Sequence, residues 1–65
     1  MITSSQAIQK ALSWCSTYNI DISTKTSLDI VLIGHKYFIT INMLDKDLKI
    51  EIDKETGGII NDIVF

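Results

Sequence analysis

A chain of 65 residues with eight acidic side chains, six lysines, no arginine and a net charge of −2 has room for one core, and a domain of that size buries only about 60% of its unfolded surface. Nucleic-acid recognition is disfavoured, because bidentate base and phosphate contacts favour arginine and a basic footprint is missing. A single cysteine, Cys15, and a single histidine, His35, exclude an internal disulfide and a Cys/His metal set.

No metal or cofactor is therefore expected. The chain also lacks the roughly 18 uninterrupted apolar residues of a membrane span and a signal-peptide pattern. As written, a cytoplasmic product without membrane insertion is expected, or an envelope or secreted one if the sequence is an excised domain. Small scaffolds without staples rely on dense apolar packing or self-association, and a 46% hydrophobic content permits either.

In chain order, Thr3 followed by Gln6 predicts a capping box, and Ile2 with Ala7 is spaced for a hydrophobic staple. Ala7, Ile8, Ala11, Leu12, Cys15 and Tyr18 recur at helical period, with Trp14 at the edge of the stripe. The predicted helix runs from Ser4 to Thr17, and Asn19 is its left-handed stop. Residues 19–27 read as a connection with Ile20 and Ile22 tucked under the helix end.

From Leu28 the period changes to two. Strands are predicted at 28–33, 37–43 and 48–53, separated by Gly34-His35-Lys36 and Asp45-Lys46-Asp47. The third alternates most cleanly, with Leu48, Ile50 and Ile52 opposed to Lys49, Glu51 and Asp53, as a sheet with one wet face requires. Asp53 to Gly58 is a turn, in which Asp53 bonds forward to backbone amides and Gly57 supplies a positive φ. A last strand runs from Ile59 to Val64. The expected fold is α+β in a single domain: one N-terminal helix packed on an antiparallel meander of three to four strands.

The opening Ile2-Thr3-Ser4-Ser5-Gln6-Ala7-Ile8-Gln9-Lys10-Ala11-Leu12 resembles the start of PepSY-type domains, with their Ile-Thr cap and spaced alanines. Residues 48–60 look like that family's last hairpin, a strand ending in Asp, two variable residues, Thr-Gly and a short apolar strand. Tyr37 to Met43 occupies the place of its Tyr-containing middle strand. The likeness spans nearly the whole chain and carries no catalytic residues. It implies protein binding, and peptidase inhibition in the family's secreted setting; no peptidase domain accompanies this sequence.

Isolated reactive residues do not assemble a site. His35 lies in a turn with no second histidine or paired carboxylate, which favours a solvated histidine over a base or ligand. Cys15 falls on the buried helical stripe, near a C-terminal end that disfavours a thiolate. Asp45, Asp47, Asp53 and Glu55 lack calcium-loop spacing, and Gly57-Gly58 lacks a phosphate-loop context.

The informative departure is an apolar surplus. With Leu28, Ile30, Leu32, Ile39, Ile41, Ile50 and Ile52 facing the helix, Val31, Ile33, Phe38, Ile60 and Val64 fall on the opposite face. One helix cannot cover both. These five form the candidate interaction surface; the other reading is that loops or a one-residue shift of register bury them. The leading expectation is a non-enzymatic protein-binding module, an inhibitor or adaptor, working through the outer sheet face or a sheet edge with a protein partner of unknown identity. The alternative is a homodimer through the outer face.

Overall fold

Helix α1 spans Ser4–Thr17 and is followed by strands β1 (Lys25–Ile33), β2 (Lys36–Met43), β3 (Asp47–Asp53) and β4 (Ile59–Val64). The computed structural model describes residues 1–64, Val64 by its backbone only. The strands form one antiparallel sheet in the order β1-β2-β3-β4, and α1 packs on one of its faces. The fold is α+β.

Both ends of α1 are fixed by the local chemistry expected of them. The Gln6 amide donates to the Thr3 hydroxyl at 3.2 Å and the Thr3 amide to the Gln6 side-chain oxygen at 2.9 Å, satisfying two of the orphan donors of a helix start. At the other end Asn19 adopts φ 57°. The Ile20 amide then reaches the Cys15 carbonyl at 2.8 Å and the Asn19 amide the Ser16 carbonyl at 3.2 Å. These two bonds are the pair of a Schellman motif.

The stripe that α1 buries is narrower than its periodicity suggests. Only Ala7, Ala11 and Cys15 are fully enclosed, while Leu12 and Trp14 pack on the rim and Tyr18 is exposed. Small residues at four-residue spacing lie on one line of a helix. Here that line faces the sheet, so the helix backbone sits close over it and the larger side chains splay to either flank. Beneath lie Tyr37, Ile39, Ile41 and Met43 of β2 and Leu48, Ile50 and Ile52 of β3, all buried.

The two central strands alternate as expected, and the β1–β2 turn follows directly from its glycine. Ile33 pairs with Lys36 across Gly34-His35; Gly34 has φ 62° and His35 a negative φ, the signs of a type II′ hairpin turn. Strand β1 begins earlier than the periodicity indicates, at Lys25. Side chains hold this polar extension in place: the Thr26 hydroxyl donates to the Asn42 carbonyl at 3.1 Å, and Asn42 Nδ2 donates to Ser27 Oγ at 2.8 Å.

The β3–β4 turn is built on Asp53, whose Oδ1 accepts from the amides of Glu55 at 2.7 Å and Thr56 at 3.3 Å. Gly57 follows at φ 75°, against the Lys10 stem and Ile2. Three bonds gather the neighbouring segments. The Ile2 amide donates to the Lys54 carbonyl at 2.8 Å, the Lys54 amide to the His35 carbonyl at 2.8 Å, and the Tyr37 hydroxyl to the Ile2 carbonyl at 3.2 Å.

In β4 the register shifts by one residue. Ile59 pairs with Ile52, but Asn61 pairs with Glu51, Asp62 with Ile50 and Ile63 with Lys49. An extra residue on one strand changes which side chains share a face beyond it.

Candidate functional site

The reactive side chains are dispersed. His35 is 82% exposed and its Nδ1 lies 3.7 Å from Glu55 Oε1 across the two turns, a solvated contact of small energetic weight. Asp21 Oδ1 accepts from the Ser23 amide at 2.9 Å. Those hydrogen bonds to Ser23, helped by Lys46, hold its carboxyl below the usual range. Among the described residues no group of three or more His, Cys, Asp or Glu is placed to hold a metal.

Cys15 is a buried free thiol. It is fully enclosed beneath α1, and burial pushes its thiol upward against a smaller opposing effect of a backbone hydrogen bond. A thiol kept protonated by desolvation is a poor nucleophile. Native protein is therefore expected to resist a thiol-specific disulfide reagent at pH 8, with labelling at the rate of unfolding and a full single equivalent in denaturant. Rapid labelling of the folded protein would contradict this placement.

Two depressions mark the surface. A cleft of about 480 Å³ runs between α1 and the start of β4. Lys10, Trp14, Tyr18 and Ile59 are among its walls, and Ser13 and Thr17 supply hydroxyls. The Trp14 and Tyr18 rings lie 4.9 Å apart. Among the described residues its lining holds Lys10 and Tyr18 as titratable groups and no carboxylate, histidine or thiol. A smaller, more enclosed depression of about 260 Å³ lies on the outer face of the sheet, among Phe38, Thr40, Lys49, Glu51, Asn61 and Ile63.

Of the five expected interaction residues, Val31, Ile33 and Phe38 lie on the outer face. Val31 and Phe38 are paired directly across β1 and β2, in a row that continues to Glu51 and Asn61. Val31 is 53% and Ile33 61% exposed; Phe38 is half-buried. Ile60 is also exposed, but it stands at the register shift, where Asn61 takes the place opposite Glu51. The backbone of Val64 pairs with Leu48, and its side chain lies outside the described residues. The β4 residue that joins Phe38 on the outer face is Ile63, paired with the outward-facing Lys49.

Leu32 adds a further exposed apolar side chain. Its alternation places it on the helix side, yet it remains 44% exposed at the end of β1. Val31, Leu32 and Ile33 thus make an uninterrupted exposed apolar run on an edge strand. No protein-family model, curated protein or solved structure matches the chain.

The two positions that periodicity missed differ in kind. Ile63 follows from the register shift after Gly57-Gly58, and two adjacent isoleucines behind a glycine pair are a local hint of it. Leu32 carries no local signal, because its exposure depends on where α1 stops covering the sheet.

Proposed function

We propose that this chain is a non-enzymatic protein-binding module whose working surface is the outer sheet face around Val31, Ile33, Phe38 and Ile63, continuous with the β1 edge. The observation that carries the reading is the exposure of Val31 and Ile33 on the outer face beside Phe38, with Leu32 exposed on the other face of the same edge strand. Large apolar side chains that stand together in water are a feature of interaction surfaces. The depression beside Phe38 gives a partner side chain a seat rimmed by Lys49, Glu51 and Asn61, an apolar centre with a polar border.

The likeness of the sequence to PepSY-type domains points toward the same class, an inhibitor or adaptor. The placement of His35 and Cys15 gives no nucleophile with a base beside it. No helix among the described residues is long and apolar enough to cross a membrane.

Phe38→Lys is the variant that tests this reading. The new ammonium would stand opposite Glu51, Phe38's partner in the register, a favourable cross-strand neighbour, so the sheet is expected to persist by circular dichroism. Capture of partner protein from a lysate of the source cells is expected to fall at least tenfold against the unaltered chain. Equal recovery of the same proteins by both would remove the outer face as the working surface.

A further inference from the structure

We propose that two copies of this chain join antiparallel along β1 about a two-fold axis at Ile30, making one continuous sheet from two. The inference rests on reading β1 and the outer face as an interaction surface, and it names the occupant of the edge.

The two edges of the sheet are not alike. Strand β4 carries a register irregularity opposite β3 and places Asp62 across from the buried Ile50. Bulges and inward-pointing charges are both devices that keep a sheet edge from pairing. Residues 28–33 of β1 have neither: their register with β2 is unbroken, and they contain no proline, no lysine and one charge, Asp29. Strand β1 carries its own register shift and its lysine at Lys25 to Ser27, so its edge is open over residues 28–33.

The free backbone groups of that edge are identified by the ladder next to it. The Lys54 amide bonds the His35 carbonyl, and the Met43 amide bonds the Lys46 carbonyl, so the odd-numbered residues of β2 turn toward β3. Antiparallel strands alternate the direction of their hydrogen bonds. Lys36, Phe38, Thr40 and Asn42 therefore turn toward β1, where they meet Ile33, Val31, Asp29 and Ser27. The outward N–H and C=O groups of β1 belong to Leu28, Ile30 and Leu32.

Those three residues are self-complementary about Ile30. In that register Ile30 pairs with its own copy and Leu28 with the second copy's Leu32. The half-buried Leu28 and Ile30 and the exposed Leu32 thereby meet apolar neighbours on the helix side. On the outer side Asp29 stands beside Val31 and Ser27 beside Ile33, so no like charges face each other. The charge pattern selects against the nearest alternative, a two-fold axis at Asp29, which sets carboxylate against carboxylate across the strands. An axis at Val31 shortens the overlap and leaves Leu28 opposite Gly34.

The test is the solution mass from micromolar to millimolar protein, by sedimentation equilibrium, for the unaltered chain and three variants. The unaltered chain is expected to reach a dimer. Val31→Asp, which sets two carboxylates side by side at two symmetric places, is expected to raise the dimer Kd about tenfold. Val31→Lys, which offers a cation to each Asp29, is expected to leave the Kd unchanged or lower it. Leu32→Pro removes an outward N–H without touching the β2 ladder and is expected to abolish the dimer.

A monomer throughout the range would overturn the proposal, as would equal weakening by Val31→Asp and Val31→Lys, the result of a face-to-face dimer or of an axis at Val31. Leu32→Pro dimerising like the unaltered chain would overturn it as well. A monomeric chain that captures a different protein, and loses it with Leu32→Pro, would assign the edge to a foreign extended segment instead. Loss of capture with Phe38→Lys in a chain that stays monomeric would sink the edge pairing and leave the outer-face reading intact; a dimer whose capture is indifferent to Phe38 would do the reverse.

Discussion

Truncating Ile50 to alanine is expected to leave the domain largely unfolded at 25 °C. Ile50 is fully enclosed at the middle of β3, paired with Ile39 on one side and with Asp62 on the other. Deleting a buried isoleucine side chain to alanine costs about 2–5 kcal/mol, the larger values where surroundings cannot relax into the space. Relaxation is restricted here because Ile50 is held in ladders on both sides, under a helix anchored at both ends. A chain of this length has a total stability of about 3–10 kcal/mol by the usual per-residue range, and cores this small rarely exceed about 3–5 kcal/mol. Urea unfolding followed by circular dichroism would measure the loss. A change below about 1 kcal/mol would mean that the core collapses around the deletion and that Ile50 is not its centre.

Ala11→Leu is expected to destabilise the domain by about 1–3 kcal/mol, although it adds apolar surface. Ala11 is fully enclosed between Ala7 and Cys15 on the line that α1 lays over the sheet. Three added carbons at that point require the helix to lift or rotate, and either motion strains the capping bonds at Thr3 and the tie between Ile2 and Lys54. Helix propensity does not account for the loss, because leucine and alanine are both good helix formers. The same urea titration would measure it. Unchanged stability would show that α1 has room above β2 and that its alanines are incidental.

These two residues also show what the sequence made legible. The Thr3 and Gln6 cap, the Asn19 stop, the Asp53 and Gly57 turn and the alternation of β2 and β3 each depend on a few neighbouring residues. Each appears in the structure as local chemistry predicts. What was not legible depends on contacts across the sheet. Lys25, Thr26 and Ser27 read as loop because their strand conformation relies on Asn42 of the neighbouring strand. The outward position expected for Ile60 passes to Asn61 because of an extra residue in β4. For the candidate surface, Val31 and Ile33 were readable as apolar side chains that one helix could not cover. Ile63 left only the local hint of a glycine pair before two isoleucines, since its face is decided by the register shift, and Phe38 is half-buried.

The tie from Ile2 to Lys54 has a kinetic meaning. Every strand pairs with the next along the chain, so the sheet is a succession of local hairpins with short loops to close, a low contact order for a fold rich in strands. The bonds of Ile2 are exceptions, since its amide donates to the Lys54 carbonyl in the last turn and its carbonyl accepts from the Tyr37 hydroxyl of β2. Zipping of β2 on β3 from the turn at residues 44–46 carries the Lys54 amide to the His35 carbonyl at the open end of that hairpin, a pairing that needs no helix. Docking of α1 then closes the longest loop, whose entropic cost grows only slowly with length. Exchange of the Ile2 amide with solvent is therefore expected to report undocking of the helix rather than opening of the sheet.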